Sequence, residues 1–330
     1  MKNQNKPFSE MLESGIHKYE LLYFNIKILK DFAEDPRYTI SNFDDRQNIS
    51  ISTEYDYDEK INDGEKIVID NIGFGYDEYD ERVIGVFLKQ LAALPSKMQQ
   101  IFYARRNNNN VYLDPSYIKS INGSWSSDIS VFDGILYEIQ EINKICTDNG
   151  DEKLFEDDFK IERPELFKLI LLPTKKEYED FIRLFDKMIY DNVNKKFFNT
   201  KIELRWKEMK RNGSNKLIEM WLTNIKVDKC TISKITTPIK DIRTKRNIPS
   251  HEIHNNVYDK SYYEKQTEAL IKIYTALKLL IKILIKQFNL KDYKLEEWFV
   301  ENNIRTYSIS EIKKEENKNY IFMEDYRNND

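Results

Sequence analysis

Histidine, cysteine, glycine and proline are all scarce in this sequence of 330 residues. Nine glycines and eight prolines are few for the length, which argues against a turn-rich β-sandwich and favours helices. The two cysteines, Cys146 and Cys230, lie far apart without CxxC spacing. A disulfide framework or a structural zinc site is therefore not expected, and a reducing cytoplasm fits the composition.

Long apolar runs are also missing, so we expect no membrane span and no membrane partner. The most apolar segment, "ALIKIYTALKLLIKILIKQF", carries a lysine every few residues. The N-terminal stretch "MKNQNKPFSEMLESG" lacks the apolar core of a signal peptide. With 33% charged and 40% hydrophobic residues, the composition is that of a soluble globular protein, and we expect a cytoplasmic location.

Charge is distributed unevenly along the chain. Residues 41–80 contain twelve acids against three bases, whereas residues 226–291 contain twelve lysines and two arginines against six acids. The basic segment is either a solvated helix face or a surface that attracts a polyanion. The acidic segment could repel nucleic acid or cover the basic face, and the sequence does not decide between these readings.

Periodicity predicts a chain that is mainly α-helical. Apolar residues recur every three or four positions over 8–34, 79–105, 128–146, 175–189 and 261–289. Thr174 and Glu177 form a capping-box pattern, and Thr237 with Pro238 resembles another helix start. Alternating residues around the turn signal Asn62–Gly64 predict a β-hairpin over 50–72. We expect a mixed α/β domain over residues 1–150 and a helical domain over residues 151–330, joined near "DNGDEK".

Two of the three histidines lie in one short stretch, "KRNIPSHEIHNN", at residues 245–256. His251 and His254 follow the adjacent pair Arg246 and Asn247. These residue types suit the cleavage of RNA by its own 2′-hydroxyl, which needs a base, an acid and positive charge on the phosphate. Histidine supplies the first two functions near neutral pH, and the planar guanidinium of arginine can hold two phosphate oxygens.

The pattern resembles the R-N-x-x-x-H form of the Rx4-6H motif of HEPN domains, over roughly residues 160–290. Many members of that family are α-helical, metal-independent endoribonucleases of toxin–antitoxin, abortive-infection and CRISPR-associated systems. The resemblance implies a C-terminal HEPN-like helical bundle in which Arg246 binds phosphate, Asn247 orients and His251 is the acid/base residue. It also implies an active site formed at a homodimer interface and no cofactor.

By the same resemblance, the partners are RNA and an antitoxin or another defence-system protein. The RNA backbone would be held by Arg243, Lys245, Lys260 and Lys265, with His254 and Glu252 as accessory residues. Residues 1–150 resemble no family that we can name, and a regulatory or sensing role is expected for them.

Three alternatives stay open at this stage. "RNIPSHEIHNN" could be an ordinary turn between two helices, since Asn, Pro and Ser favour turns and Pro249 interrupts a helix. A metal site could use His251, His254 and Glu252 or Asp259, although "HEIH" lacks the spacing of a zinc protease. The helical domain could also be a non-catalytic module that binds an acidic partner or nucleic acid.

Overall fold

A computed structural model describes residues 6–41, 49–53, 62–123, 129–203, 207, 211–247 and 255–315. The described residues fall into two compact units, the first within Met1–Ser127 and Tyr307–Asp330 and the second within Asp128–Thr306. This division differs from the expected boundary at residue 150. The helix Val131–Asp148 belongs to the second unit because its apolar face packs against the long helix Ser261–Gln287.

The first unit contains an antiparallel sheet, and the protein is therefore mixed α/β rather than mainly α. Its seven described strands are β1 (Leu21–Asn25), β2 (Tyr38–Ser41), β3 (Ile49–Thr53), β4 (Val68–Asp77), β5 (Arg82–Phe87), β6 (Arg106–Asn107) and β7 (Val111–Leu113). The order across the sheet is β2-β3-β4-β5-β1-β6, and β7 pairs with β4. The predicted hairpin is confirmed, since β3 and β4 pair antiparallel with Ile51 opposite Ile69.

Six described helices accompany this sheet: α1 (Pro7–Glu13), α2 (Lys27–Ala33), α3 (Leu88–Ala93), α4 (Ser96–Tyr103), α5 (Pro115–Ile121) and, from the end of the chain, α12 (Ile309–Glu315). The single helices predicted over 8–34 and 79–105 are wrong. Gly15 at φ +92° follows the first helix, and the chain then enters β1. Val83, Ile84 and Val86 are fully buried in β5, because β-branched side chains pack well in a sheet covered on both faces.

Helices dominate the second unit. They are α6 (Val131–Asp148), α7 (Lys175–Asp186), α8 (Ser214–Asn224), α9 (Lys229–Asn247), α10 (Ser261–Gln287) and α11 (Glu297–Glu301). A π-helical turn, Lys187–Asp191, continues α7, and a 3₁₀ helix follows at Lys195–Thr200. Two short strands, β8 (Ile129–Ser130) and β9 (Ile304–Arg305), pair in parallel. Helix α10 packs on α6 and α9, and α9 also packs on α7 and α8.

The predicted helices α6, α7 and α10 are confirmed to within a few residues. Thr174 caps α7 by accepting a hydrogen bond from the Glu177 amide at 3.3 Å. The Glu177 carboxylate accepts from the amides of Leu171 and Leu172, which lie three and two residues before the cap Thr174.

Helix α9 does not begin at Thr237 as expected, because Pro238 lies inside it. The helix starts at Lys229, where the Asp228 carboxylate accepts from the Thr231 amide at 2.9 Å. A proline inside a helix costs about 3 kcal/mol. Burial of each isoleucine contributes about 1.5–3 kcal/mol, so the four buried ones offset that cost. These are Ile232, Ile235, Ile239 and Ile242.

Among the described helices, none has both the length and the apolar character needed to cross a membrane.

Glu138 is an acid buried inside the second unit. Its side chain on α6 is fully inaccessible, and neither carboxylate oxygen has a hydrogen-bond partner among the described residues. Burial raises the pKa of Glu138 well above its ordinary value of 4.5, and Lys278 on α10 only partly opposes the shift. The ionised form of this side chain therefore destabilises the fold.

We predict that Glu138→Gln stabilises the protein at neutral pH. Below an unfolded pKa of about 4.5 glutamate is neutral in both states. As the pH rises above that value the unfolded chain ionises first, so the wild type loses stability by up to about 1.4 kcal/mol per pH unit until the folded pKa is reached. Urea unfolding at pH 4.5 and 7 should show a stability advantage of the variant that grows with pH. The control is Glu219→Gln, which changes a half-exposed acid paired with Lys216 at the surface of α8. An advantage equal at both pH values would contradict the prediction.

Candidate active site at the end of helix α9

Arg243 and Arg246 lie three residues apart in the last turns of α9 and therefore share one face of the helix. Both guanidinium groups donate through Nη1 to the same oxygen, Oδ2 of Asp186, at 2.6 Å. Each Nη1 also donates to Asp191, Arg243 to Oδ1 and Arg246 to Oδ2, both at 3.0 Å. Two carboxylates thus fix the positions of two arginines.

The two carboxylates come from one continuous stretch. Asp186 is the last residue of α7, and Asp191 is the last residue of the π-helical turn that follows. The wider π turn changes the angular spacing of successive residues, and π turns are frequent at functional sites. Five residues apart, both acids reach the arginine pair on α9.

Burial makes Asp186 the strongest anchor of this cluster. Its side chain is 0% exposed, whereas those of Arg243 and Arg246 are 32% and 30% exposed. Burial lowers the pKa of Arg243, but its bonds to Asp186 and Asp191 more than compensate, and the pKa lies above its ordinary value. The second carboxylate oxygen of Asp186, Oδ1, is buried and has no hydrogen-bond partner among the described residues. A buried carboxylate of this kind depends on its cations.

Each guanidinium retains unused donors. The hydrogen bonds of Arg243 and Arg246 to the two acids all involve Nη1. The remaining N–H groups of Arg246 make no further hydrogen bond to the described residues. Because an arginine has five N–H donors in a planar fork, Arg246 can bind an oxyanion while it stays attached to Asp186.

Beside the arginine pair lies a cavity of about 490 Å³, which we call the α8 cavity because it opens at the first residue of that helix. Its charged lining consists of four cations and two acids: Lys195, Lys196, Arg211, Arg243, Glu156 and Asp191. The Tyr190 ring forms part of the wall, and the Arg243 guanidinium stacks on it at 4.4 Å from the ring centroid. Arg243 therefore belongs both to the arginine pair and to the α8 cavity.

The other residues predicted for the site are not all brought together. Asn247 is exposed at the end of α9, whereas His251, His254 and Glu252 lie outside the described residues. Lys245 is half-buried; the pKa of Glu268 on α10 is lowered mainly by its hydrogen bond to Lys272 and to a smaller extent by the charge of Lys245.

The two lysines at the start of α10 contact other groups. Lys260 is the N-cap residue of α10. The ammonium of Lys265 lies 3.6 Å from the Asp259 carboxylate and 4.6 Å from the centroid of the Tyr262 ring. Of the predicted set, Arg243 and Arg246 are brought together by their shared contacts with Asp186 and Asp191.

Within the described ranges, no three His, Cys, Asp or Glu side chains are grouped so that they could hold a metal ion. Comparison of the chain with family models, with curated proteins and with solved structures gives no match.

Sequence reasoning missed Asp186 and Asp191, although one signal for Asp186 was present. Asp186 follows Ile182 by four positions and Phe185 by one, within the apolar stripe of α7. An acid on an otherwise apolar helix face indicates a buried carboxylate that needs a cation. No local pattern tells which residues of α9 bind this acid. The cavity residues Arg211 and Ser214 carry no local signal either.

We predict that Asp186→Asn destabilises the protein strongly. The change leaves Arg243 and Arg246, which are partly exposed, with only Asp191, and loss of hydrogen bonds to a charged group costs about 1.5–3 kcal/mol. The control is Asp180→Asn on the same helix, where the exposed pair with Arg183 predicts a change of less than about 1 kcal/mol. Chemical denaturation of both variants measures the difference. Equal stabilities would show that Asp186 does not anchor the arginines.

Proposed function

We propose that the protein is a metal-independent endoribonuclease of the HEPN type that acts in toxin–antitoxin or anti-phage defence. The second unit would be a HEPN-like helical bundle that pairs as a homodimer in the cytoplasm. The observation that supports this proposal is the state of Arg246. It sits at the end of α9, is held by a fully buried carboxylate and keeps N–H donors for a phosphate.

In the proposed reaction the 2′-hydroxyl of RNA attacks the adjacent phosphorus and the bond to the 5′-oxygen breaks. His251 takes part in proton transfer, either by removing the hydroxyl proton or by protonating the leaving oxygen. The second role falls to His251 of the other copy or to His254, with Glu252 as a further accessory group. The products are a 2′,3′-cyclic phosphate and a 5′-hydroxyl, so atoms and protons balance without a cofactor.

Arg246 would stabilise the negative charge that develops on the phosphate oxygens. A guanidinium already held in place needs no reorganisation when that charge appears, which is the condition for effective electrostatic catalysis. Asn247, next to it at the helix end, would orient the histidine or donate to the phosphate. Arg243, Lys245, Lys260 and Lys265 would contact the RNA backbone on either side, and the first unit would sense a trigger or bind an antitoxin.

His251 must come close to Arg246 in this proposal, and chain length permits it. His251 lies five positions after Arg246, which corresponds to a reach of up to about 18 Å. Beyond the motif, Asn256 accepts a hydrogen bond from the Lys176 amide at the start of α7, while Arg246 binds at the end of α7. These anchors are about 15 Å apart along the helix, and the stretch from Arg246 to Asn256 can span more than that without being taut.

A second candidate is a non-catalytic helical module that binds an acidic partner or nucleic acid. It is favoured by the fact that Arg243 and Arg246 are both already paired with Asp186 and Asp191. In that case the only role of the arginine pair is to pack helix α9 on helix α7.

We predict that His251→Ala abolishes RNA cutting while the fold survives. Loss of a general acid or base lowers the rate at least about 100-fold. The matched control is His17→Ala, which removes the exposed histidine of the first unit. Mixed RNA is incubated with each protein in the presence of a chelator, and fragments ending in 2′,3′-cyclic phosphate are quantified. Cutting by His251→Ala at the parent rate would refute the assignment, and binding without cutting by the parent protein would support the module.

A further inference from the structure

We propose that the α8 cavity is a binding site for a phosphorylated ligand of nucleotide size, with its phosphate at the first turn of α8. The inference does not rest on the proposed ribonuclease activity, because it concerns binding by residues other than Arg246, Asn247 and His251.

Charge in the α8 cavity favours an anion. Four cations face two acids, and Asp191 is already engaged by Arg243 and Arg246. The side chains of Lys196 and Arg211 are exposed and form no ion pair with the described residues. Two full positive charges in a concave site attract a phosphate more strongly than the same charges on an open surface.

Backbone geometry adds to this charge. Gly213 is the N-cap residue of α8 and provides no side-chain cap for the first amides of this eleven-residue helix. Uncapped amides at a helix N-terminus point toward the solvent and carry the positive end of the helix dipole. Phosphate groups are frequent ligands at such positions.

Ser214 provides an independent observation. It is the first residue of α8, only 4% exposed, and it lines the cavity. Its hydroxyl makes no hydrogen bond to the described residues and is not among the fully enclosed atoms, so it is accessible from the cavity. A hydroxyl beside the helix N-terminus, facing a cavity with unpaired cations, is the arrangement expected where a phosphate oxygen completes the hydrogen bonds.

The size of the cavity indicates what carries the phosphate. About 490 Å³ lies within the range of small-ligand sites and is far more than a single phosphate fills. Tyr190 also lines the cavity and supplies an aromatic wall. We infer a nucleoside phosphate, which is either a free nucleotide or the phosphorylated end of an RNA strand.

Gly213 keeps the wall of the cavity in place. A Cβ added at this position would clash with the Tyr190 hydroxyl, so only glycine lets Tyr190 lie against the start of α8. The same ring carries the Arg243 guanidinium. The position of one wall of the cavity is therefore fixed by packing on both sides of the Tyr190 ring.

The test measures binding by calorimetry of the full chain with each of the four ribonucleoside 5′-monophosphates and with the matching nucleosides. We expect at least one monophosphate to bind with a Kd below about 1 mM, and its nucleoside to bind about tenfold more weakly or not at all. Arg211→Ala should weaken binding about tenfold, and Ser214→Ala should weaken it several-fold. Arg183→Ala removes the same charge from the exposed face of α7 and should leave the Kd unchanged.

A second arm identifies the source of the phosphate. Short 2′-O-methyl RNA, which cannot be cut through the 2′-oxygen, is compared with and without a 5′-phosphate. Tighter binding of the phosphorylated strand than of the mononucleotides identifies a strand end, and the reverse identifies a free nucleotide. The proposal fails if no phosphorylated ligand binds, if nucleosides bind as tightly, or if Arg211→Ala and Arg183→Ala give the same Kd.

Discussion

The position of the arginine pair on helix α9 depends on one carboxylate, that of Asp186. It is fully buried, and it accepts hydrogen bonds from two arginines on the neighbouring helix. A buried ion pair rarely stabilises the packing of two helices more than apolar residues of similar volume would. What the pair does provide is a defined position for two guanidinium groups that would otherwise move freely on long side chains.

Two residues, Arg243 and Asp191, belong both to the ion-pair cluster around the two arginines and to the lining of the α8 cavity. Asp191 also binds Arg246, so the two sites are electrostatically connected through one acid. A phosphate in the cavity would compete with Asp191 for Arg243 and would change the charge available near Arg246. By linkage, an anion at Arg246 would change the affinity of the cavity to the same degree.

Several features of the fold could be predicted from the sequence, and these are the strongly amphipathic ones. Helix α10 and the capped helix α7 were predicted because their apolar residues recur with one helical period and their ends carry recognisable signals. The start of helix α9 was predicted wrongly, because Pro238 imitates a first helical residue. The strands β1 and β5 were missed because their apolar residues also fit a helical spacing. The two strands pair with each other, with Leu22 opposite Val86, and pairing between segments so far apart leaves no local signal in the sequence.

The residues of the candidate site also fall into those that could be predicted from the sequence and those that could not. Arg246 and Asn247 were found because they form a local motif with the nearby histidines. Asp186 and Asp191 are about 55–60 residues away along the chain, and only the packing of α7 against α9 brings them to the arginines. The cavity residues come from several separate segments, so no spacing rule predicts their convergence.

The π-helical turn after α7 has a consequence for how this region tolerates change. It contains one residue more per turn than an α-helix would, and the phase of every later side chain depends on that extra residue. Shortening the stretch by a single residue would rotate Asp191 and Tyr190 by about 100° away from the arginines. The segment Lys187–Asp191 should therefore accept substitutions far more readily than insertions or deletions.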